Sequence, residues 1–264
     1  MTGVAELLDA ARDEAGEVVA TSAFWLHHGT RLAGSGTTYR NSYVLVRVGD
    51  SFGACAFETG ELDPAVCAEA SGAPLAELLA DAPLPLRIAA LDAHLAHRRP
   101  HRDSPEAEPV TLPAGTPEVR AAARDAAVAG LLDVAPGAAV ALIGVVNPLV
   151  AAIRERGGRC LPCDLNLRET RWGEPVARES AEVLAAADAV VATGMTLGNG
   201  TFDAILRTCR ERGLPLIVYA QSAAAVARAF LGSGVTALSA EPFPFSQFSA
   251  DPTVLYRYRS AGAA

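Results

Sequence analysis

The chain has 264 residues, half of them hydrophobic, with 22 basic against 30 acidic side chains and a net charge of −8. That size and composition suit one large or two modest cores and exclude a disordered chain. The acidic balance argues against nucleic acid as a partner, because phosphates call for a basic surface.

All 22 basic residues are arginine. With no lysine, the Schiff base of pyridoxal phosphate and the P-loop lysine are both excluded. No apolar run is long enough to span a bilayer, and the N-terminus lacks the basic-then-apolar pattern of a signal peptide, so a cytoplasmic protein with no membrane partner is expected. The five cysteines are an odd number, which argues against a disulfide scaffold.

In chain order, residues 4–15 have helical apolar spacing. Val18–Trp25, Ser42–Val48 and Phe52–Phe57 read as strands between glycine-rich turns, and Leu86–Ala96 reads as a helix after Pro85. This gives an α+β first domain over residues 1–98. Residues 99–116 are basic, then acidic and proline-rich, without apolar periodicity, and read as a linker. From 117 to 264 the signals alternate. Helices are expected at Glu118–Leu132, Pro148–Arg156, Glu179–Ala186, Phe202–Arg212 and Ala223–Leu231, and strands at Ala138–Ile143, Cys160–Cys163, Ala189–Ala192, Pro215–Tyr219 and Val235–Leu238. Strands separated by helices of this length require parallel pairing, so the fold class is α/β, with a Rossmann-like doubly wound parallel sheet as the second domain.

The richest local signal is Thr193-Gly-Met-Thr-Leu-Gly-Asn-Gly-Thr201, a glycine, threonine and asparagine loop between a buried strand and a helix. Open α/β sheets build ligand sites this way, with glycines admitting close backbone approach. Asp164 closes the second strand, where an acidic side chain accepts bonds from ribose hydroxyls. Gly144-Val-Val-Asn147 carries a single glycine, which leaves less room for a pyrophosphate. Thr38-Tyr39-Arg40-Asn41 follows the turn Gly34-Ser35-Gly36, and Arg40 suits a two-point grip on a carboxylate with Tyr39 or Asn41 beside it.

Other candidates have plainer readings. Cys160 and Cys163 would diverge on a strand, as would His27 and His28. His94, His97 and His101 could bind a metal, but a solvated helix end is the stronger expectation. Trp172 either stacks on a ligand or anchors its loop. Glu241–Phe248 reads as an aromatic tail packed on a domain face or on a homodimer partner.

On these residues the second half resembles the Rossmann-like family described as putative heavy-metal chelation, which often carries a first domain shaped like the N-terminal domain of enolase. The resemblance rests on Ile143-Gly144 with Asn147-Pro148, on the Thr193–Thr201 loop and on Gly234-Val-Thr236. A weaker match lies in Gly53-Ala-Cys-Ala and in Ile88–Leu95. It implies a ligand between the two domains. The chain departs from the family at Tyr219-Ala-Gln-Ser222 and at Cys163-Asp164-Leu165-Asn166, where the acidic residue is kept and the arginine is not.

The reading these residues favour is a small-molecule enzyme holding an adenosyl-type ligand, most plausibly S-adenosylmethionine, and catalysing group transfer or internal displacement on an amino-acid-like portion. The expected ligand contacts are Gly144, Asn147, Asp164, Asn166, Thr193, Gly194, Thr196, Leu197, Asn199, Thr201, Gln221 and Ser222, with Tyr39, Arg40 and Asn41 as the catalytic side. The alternative is a protein that binds a metal ion or a metal chelate.

Overall fold

The structure is a computed structural model that describes residues 2–31 and 38–261; the side chain of Tyr39 and the Gly34-Ser35-Gly36 turn lie outside the described residues. The first half opens with helix α1 (Val4–Glu14) and a three-stranded antiparallel sheet of β1 (Ser22–Thr30), β2 (Tyr39–Val48) and β3 (Ser51–Phe57). Helices α2 (Val66–Ala70), α3 (Leu75–Asp81) and α4 (Leu84–Arg98) follow. Helix α4 lies on the sheet because Gly53 removes the side chain that would otherwise collide with the Ala89 carbonyl and the Ala93 nitrogen.

The second half is a seven-stranded sheet in the order β4-β10-β9-β8-β7-β5-β6. Its elements are β4 (Glu108–Leu112), α5 (Pro117–Ala129), β5 (Ala139–Ile143), α6 (Asn147–Glu155), β6 (Arg159–Cys163), α7 (Ser180–Ala185), β7 (Ala189–Thr193), α8 (Met195–Gly198), α9 (Phe202–Arg212), β8 (Leu216–Ala220), α10 (Ala224–Arg228), β9 (Ala237–Ala240) and β10 (Thr253–Arg259). The five strands β9-β8-β7-β5-β6 are parallel. Side chains of α7, α9 and α10 share a core with one sheet face, and those of α5 and α6 with the other. The sheet is therefore doubly wound. The chain moves from β5 outward to β6 and returns to β7 on the other side of β5, so a switch point opens beyond the carboxyl ends of β5 and β7.

Several elements differ from the sequence expectation: α2, α3 and α8 are not in it, and β1 runs over Ser22–Thr30 rather than Val18–Trp25. The segment read as a linker contains β4, and the chain after the aromatic segment forms β10; β10 pairs antiparallel with both β9 and β4. Short edge strands with one buried residue in five, as in β4, leave almost no apolar pattern to read. Among the described residues, no helix is long and apolar enough to cross a membrane.

The halves are joined through a buried carboxylate. Asp92 of α4 accepts the Ala54 N–H at 3.0 Å and the Ala225 and Val226 N–H groups at 2.7 and 3.3 Å, tying β3 to the start of α10. Ala223 takes a left-handed conformation there (φ 56°) and donates its N–H to the Ala54 carbonyl at 2.7 Å.

Candidate functional site between the two halves

At the switch point Gly144 has φ +81°, and a Cβ there would lie 2.5 Å from the Thr193 methyl carbon and 2.9 Å from the Tyr219 hydroxyl. Tyr219 donates its hydroxyl to the Gly144 carbonyl at 2.5 Å, and burial pushes its pKa well up. Above this base, the segment between β9 and β10 brings in Glu241 and Gln247. Gln221 donates to the Glu241 carboxylate at 2.8 Å and to the Gln247 amide oxygen at 2.7 Å. The Ser246 N–H holds the other oxygen of Glu241 at 2.5 Å.

From the first half, Tyr43 hydrogen-bonds with Asn41 and Gln247, and burial pushes its pKa up to about 12. Among the described residues, helix α5 supplies a cation whose field reaches Tyr43, Tyr219 and Asp125. This is Arg124, partly buried and 3.3 Å from the Asp125 carboxylate. Burial pushes the Asp125 pKa up, against the pull of Arg124. Polar side chains from both halves and from three strand ends of the large sheet thus meet in one place.

The expected ligand contacts divide into two groups. Asn41, Thr193, Gln221 and Gly144 belong to this cluster. Ser222 is buried beside it, with its carbonyl 2.5 Å from where a Gly194 Cβ would sit. The others are occupied by the fold. Asp164 accepts the Val145, Asn166 and Leu167 N–H groups at 2.9, 2.8 and 3.0 Å, which locks the first β-α loop to the second. Asn166 reaches across to Glu58 of the first half at 3.1 Å, and Asn147 accepts the Arg171 N–H at 3.0 Å. Asn199 uses its amide oxygen on the Thr201 N–H and hydroxyl, at 3.1 and 2.7 Å, at the start of α9.

The Thr193–Thr201 loop corrects the expectation of backbone N–H groups free to wrap a ligand. It contains one helical turn, and the N–H groups of Gly194, Leu197 and Asn199 bond to the carbonyls of Tyr219, Gly194 and Met195. Thr196 and Leu197 are buried, with the Thr196 hydroxyl on the Thr193 carbonyl. Gly198 is small because β3 presses on it, a Cβ there lying 2.5 Å from Cys55 Sγ and 2.7 Å from the Ala56 carbonyl. Gly198 and Gly200 face the first half across the seam, whereas Gly194 packs on Ala220 and Ser222 of its own half.

Arg40 is also corrected. It is exposed and, one residue from Asn41 on the same strand, points to the opposite sheet face, so it cannot share a pocket with Asn41. The residues that sequence reading missed, Tyr43, Arg124, Asp125, Glu241 and Gln247, carry no motif. Only the alternation of β2, which puts Asn41 and Tyr43 on one face, signals any of them.

Cys160 and Cys163 do diverge, packing on opposite faces of the sheet, and all five cysteines are free. His94 and His101 are not solvated; they are 3% and 4% exposed, because α4 is enclosed by the core and His101 is stacked on Tyr256 and bonded to the Tyr258 hydroxyl at 2.7 Å. His97 pairs instead with Asp50 at 3.3 Å. The Trp172 ring, 40% exposed, has the Arg154 and Arg171 guanidinium groups over it at 4.5 and 4.2 Å. The aromatic segment packs on the chain's own first half, with Phe245 5.4 Å from Tyr43 and Phe243 5.4 Å from Phe52.

The family model described as putative heavy-metal chelation matches residues 127–241. Residues 127–241 carry that family's domain. A protein of unknown function from that family, from Desulfitobacterium hafniense, has a crystal structure that superposes with a TM-score of 0.64 at 15% identity, covering 96% of this chain and 97% of that one. Another, of unknown function from Pyrococcus horikoshii, gives 0.60 at 14% identity, covering 97% and 98%. At these identities the likeness shows a shared fold across both halves. No curated protein matches.

Proposed function

We propose that this chain is a cytoplasmic small-molecule enzyme whose ligand sits over Gly144, Thr193 and Tyr219, between the two halves. The supporting observation is the convergence of Asn41 and Tyr43 from the first half with Gln221, Glu241, Gln247 and Arg124 from the second, at the carboxyl ends of parallel strands. A switch point is where open α/β sheets bind ligands.

An adenosyl compound, S-adenosylmethionine before others, suits the surroundings. Asp164 is fixed by three N–H groups and is only half-buried, so it can still accept ribose hydroxyls. The first loop carries a single glycine, packed against Thr193 and Tyr219, which disfavours a pyrophosphate. Among the described residues of the cluster, Asp125 and Glu241 outnumber the cation Arg124, a balance that favours a ligand carrying a positive centre such as a sulfonium. Arg124, rather than Arg40, takes the amino-acid carboxylate. A sulfonium is a good leaving group, so the protein needs only to orient a nucleophile and exclude water; group transfer and internal displacement both fit.

Titration calorimetry with S-adenosylmethionine and S-adenosylhomocysteine tests the reading. Binding of at least one is expected, weakened about tenfold or more in Arg124→Ala; absence of heat with either ends it. The heavy metal of the family's description does not fit as a bare ion. Among the described residues no group of three or more His, Cys, Asp or Glu side chains is placed to hold one. Elemental analysis of the purified protein checks that point.

A further inference from the structure

Strand β1 places His28 directly across from Asn41, so the two side chains share the sheet face that carries Tyr43. Its Nε2 lies 2.6 Å from the Thr30 hydroxyl. Its Nδ1 is buried and has no hydrogen-bond partner among the described residues. One ring edge meets Phe248, at 5.5 Å between centroids, immediately beyond the Gln247 that binds Tyr43. The imidazole therefore sits at the margin of the polar cluster with one nitrogen unspent. An unmet buried nitrogen is destabilising, and a ligand donor at that position would recover that loss.

We propose that the site extends onto β1 and that His28 Nδ1 accepts a hydrogen bond from a donor group of the ligand, an ammonium or a hydroxyl. The assignment rests on the interdomain reading above and names the ligand chemistry at that end. In this assignment Nε2–H donates to the Thr30 hydroxyl, which leaves the lone pair on Nδ1. Burial alone lowers the His28 pKa; the neighbours facing it, Thr30, Asn41 and Phe248, carry no charge. The ring is neutral at physiological pH and free to accept. A protonated ring cannot, so binding weakens as pH falls below the histidine range.

The test uses the whole chain with S-adenosylmethionine as probe. His28→Phe keeps the ring and the Phe248 contact but removes the acceptor, and should weaken binding about tenfold. His28→Asn returns an acceptor near the Nδ1 position, and should bind within about threefold of the parent while losing the acid limb of the pH profile. The melting temperature of His28→Phe should hold or rise, because an unmet polar atom has been removed; a purely structural histidine would lower it. Unchanged affinity in His28→Phe overturns the assignment. If the parent chain binds neither adenosyl compound, that reading fails by itself. The His28 assignment is then judged by ring-nitrogen NMR of the unliganded protein: a proton on Nε2 upholds it, and a proton on Nδ1 overturns it.

Discussion

Replacing Asp92 by asparagine isolates the charge at the joint between the halves. The carboxylate is fully enclosed and accepts three backbone N–H groups, from Ala54, Ala225 and Val226. Those bonds and the nearby Arg228 favour ionisation, but desolvation outweighs them and lifts the pKa from 3.8 to about 7. The folded chain therefore holds this proton more tightly than the unfolded chain. The stabilising contribution is complete below pH 4 and is lost as pH rises through about 7. The gap converts to roughly 4 kcal/mol at most.

Asparagine keeps the shape and two of the accepted bonds, while its NH2 group opposes the Ala54 N–H, at a cost of about 1–3 kcal/mol. Urea denaturation of both proteins from pH 4.5 to pH 8 measures the outcome. The parent should be the more stable at the acid end, and its advantage should shrink or reverse toward pH 8 by more than about 1.5 kcal/mol. Every other titrating group is common to both proteins and cancels in the difference. Parallel curves, with a difference constant to about 0.5 kcal/mol, would refute the argument that burial dominates this carboxyl group.

Thiol chemistry follows from the sheet. Burial pushes Cys160 and Cys163 up to about 12 and 11, and Cys209 to about 11, so these three should react with a disulfide reagent at pH 8 only after denaturation, and no Cys160–Cys163 disulfide should form under mild oxidants. His101 acts opposite to Asp92. Its pKa is depressed to about 3 by burial and by Arg228, so the stability it contributes is present above pH 6.5 and lost as pH falls toward 3. In His101→Phe the fall in melting temperature between pH 6.5 and pH 4 should be shallower than in the parent.

The architecture was legible because its strands are the buried, β-branched runs that parallel sheets demand; Ala139–Ile143 and Ala189–Thr193 differ by a residue or less from the sequence reading. The antiparallel flank was not. Strand β10 follows an aromatic segment whose phenylalanines pack on the other half of the molecule, so its local pattern reports a distant surface. The site divides for the same reason. Residues at or just beyond strand ends, such as Thr193 and Gln221, are found from the alternation of elements. Arg124, Glu241 and Gln247 are brought in by tertiary packing of α5 and of the crossing segment, and no spacing rule records that.

The glycine loop poses the sharpest question, because one sequence signal supports either a ligand cradle or a packing seam. Gly198→Ala separates them. The added Cβ would sit 2.5 Å from Cys55 Sγ and 2.7 Å from the Ala56 carbonyl, one a short side chain and the other backbone, so neither can swing aside. Overpacking of this kind costs about 1–3 kcal/mol. Adding Cys55→Ala removes the sulfur but leaves the carbonyl, so the pair should be partly compensated, with a coupling of about 0.5 kcal/mol or more. A cradle predicts the reverse: unchanged stability, lost ligand binding and no coupling to Cys55. Equilibrium unfolding of the two single variants and the double variant decides between them, since a seam must register the identity of its other side.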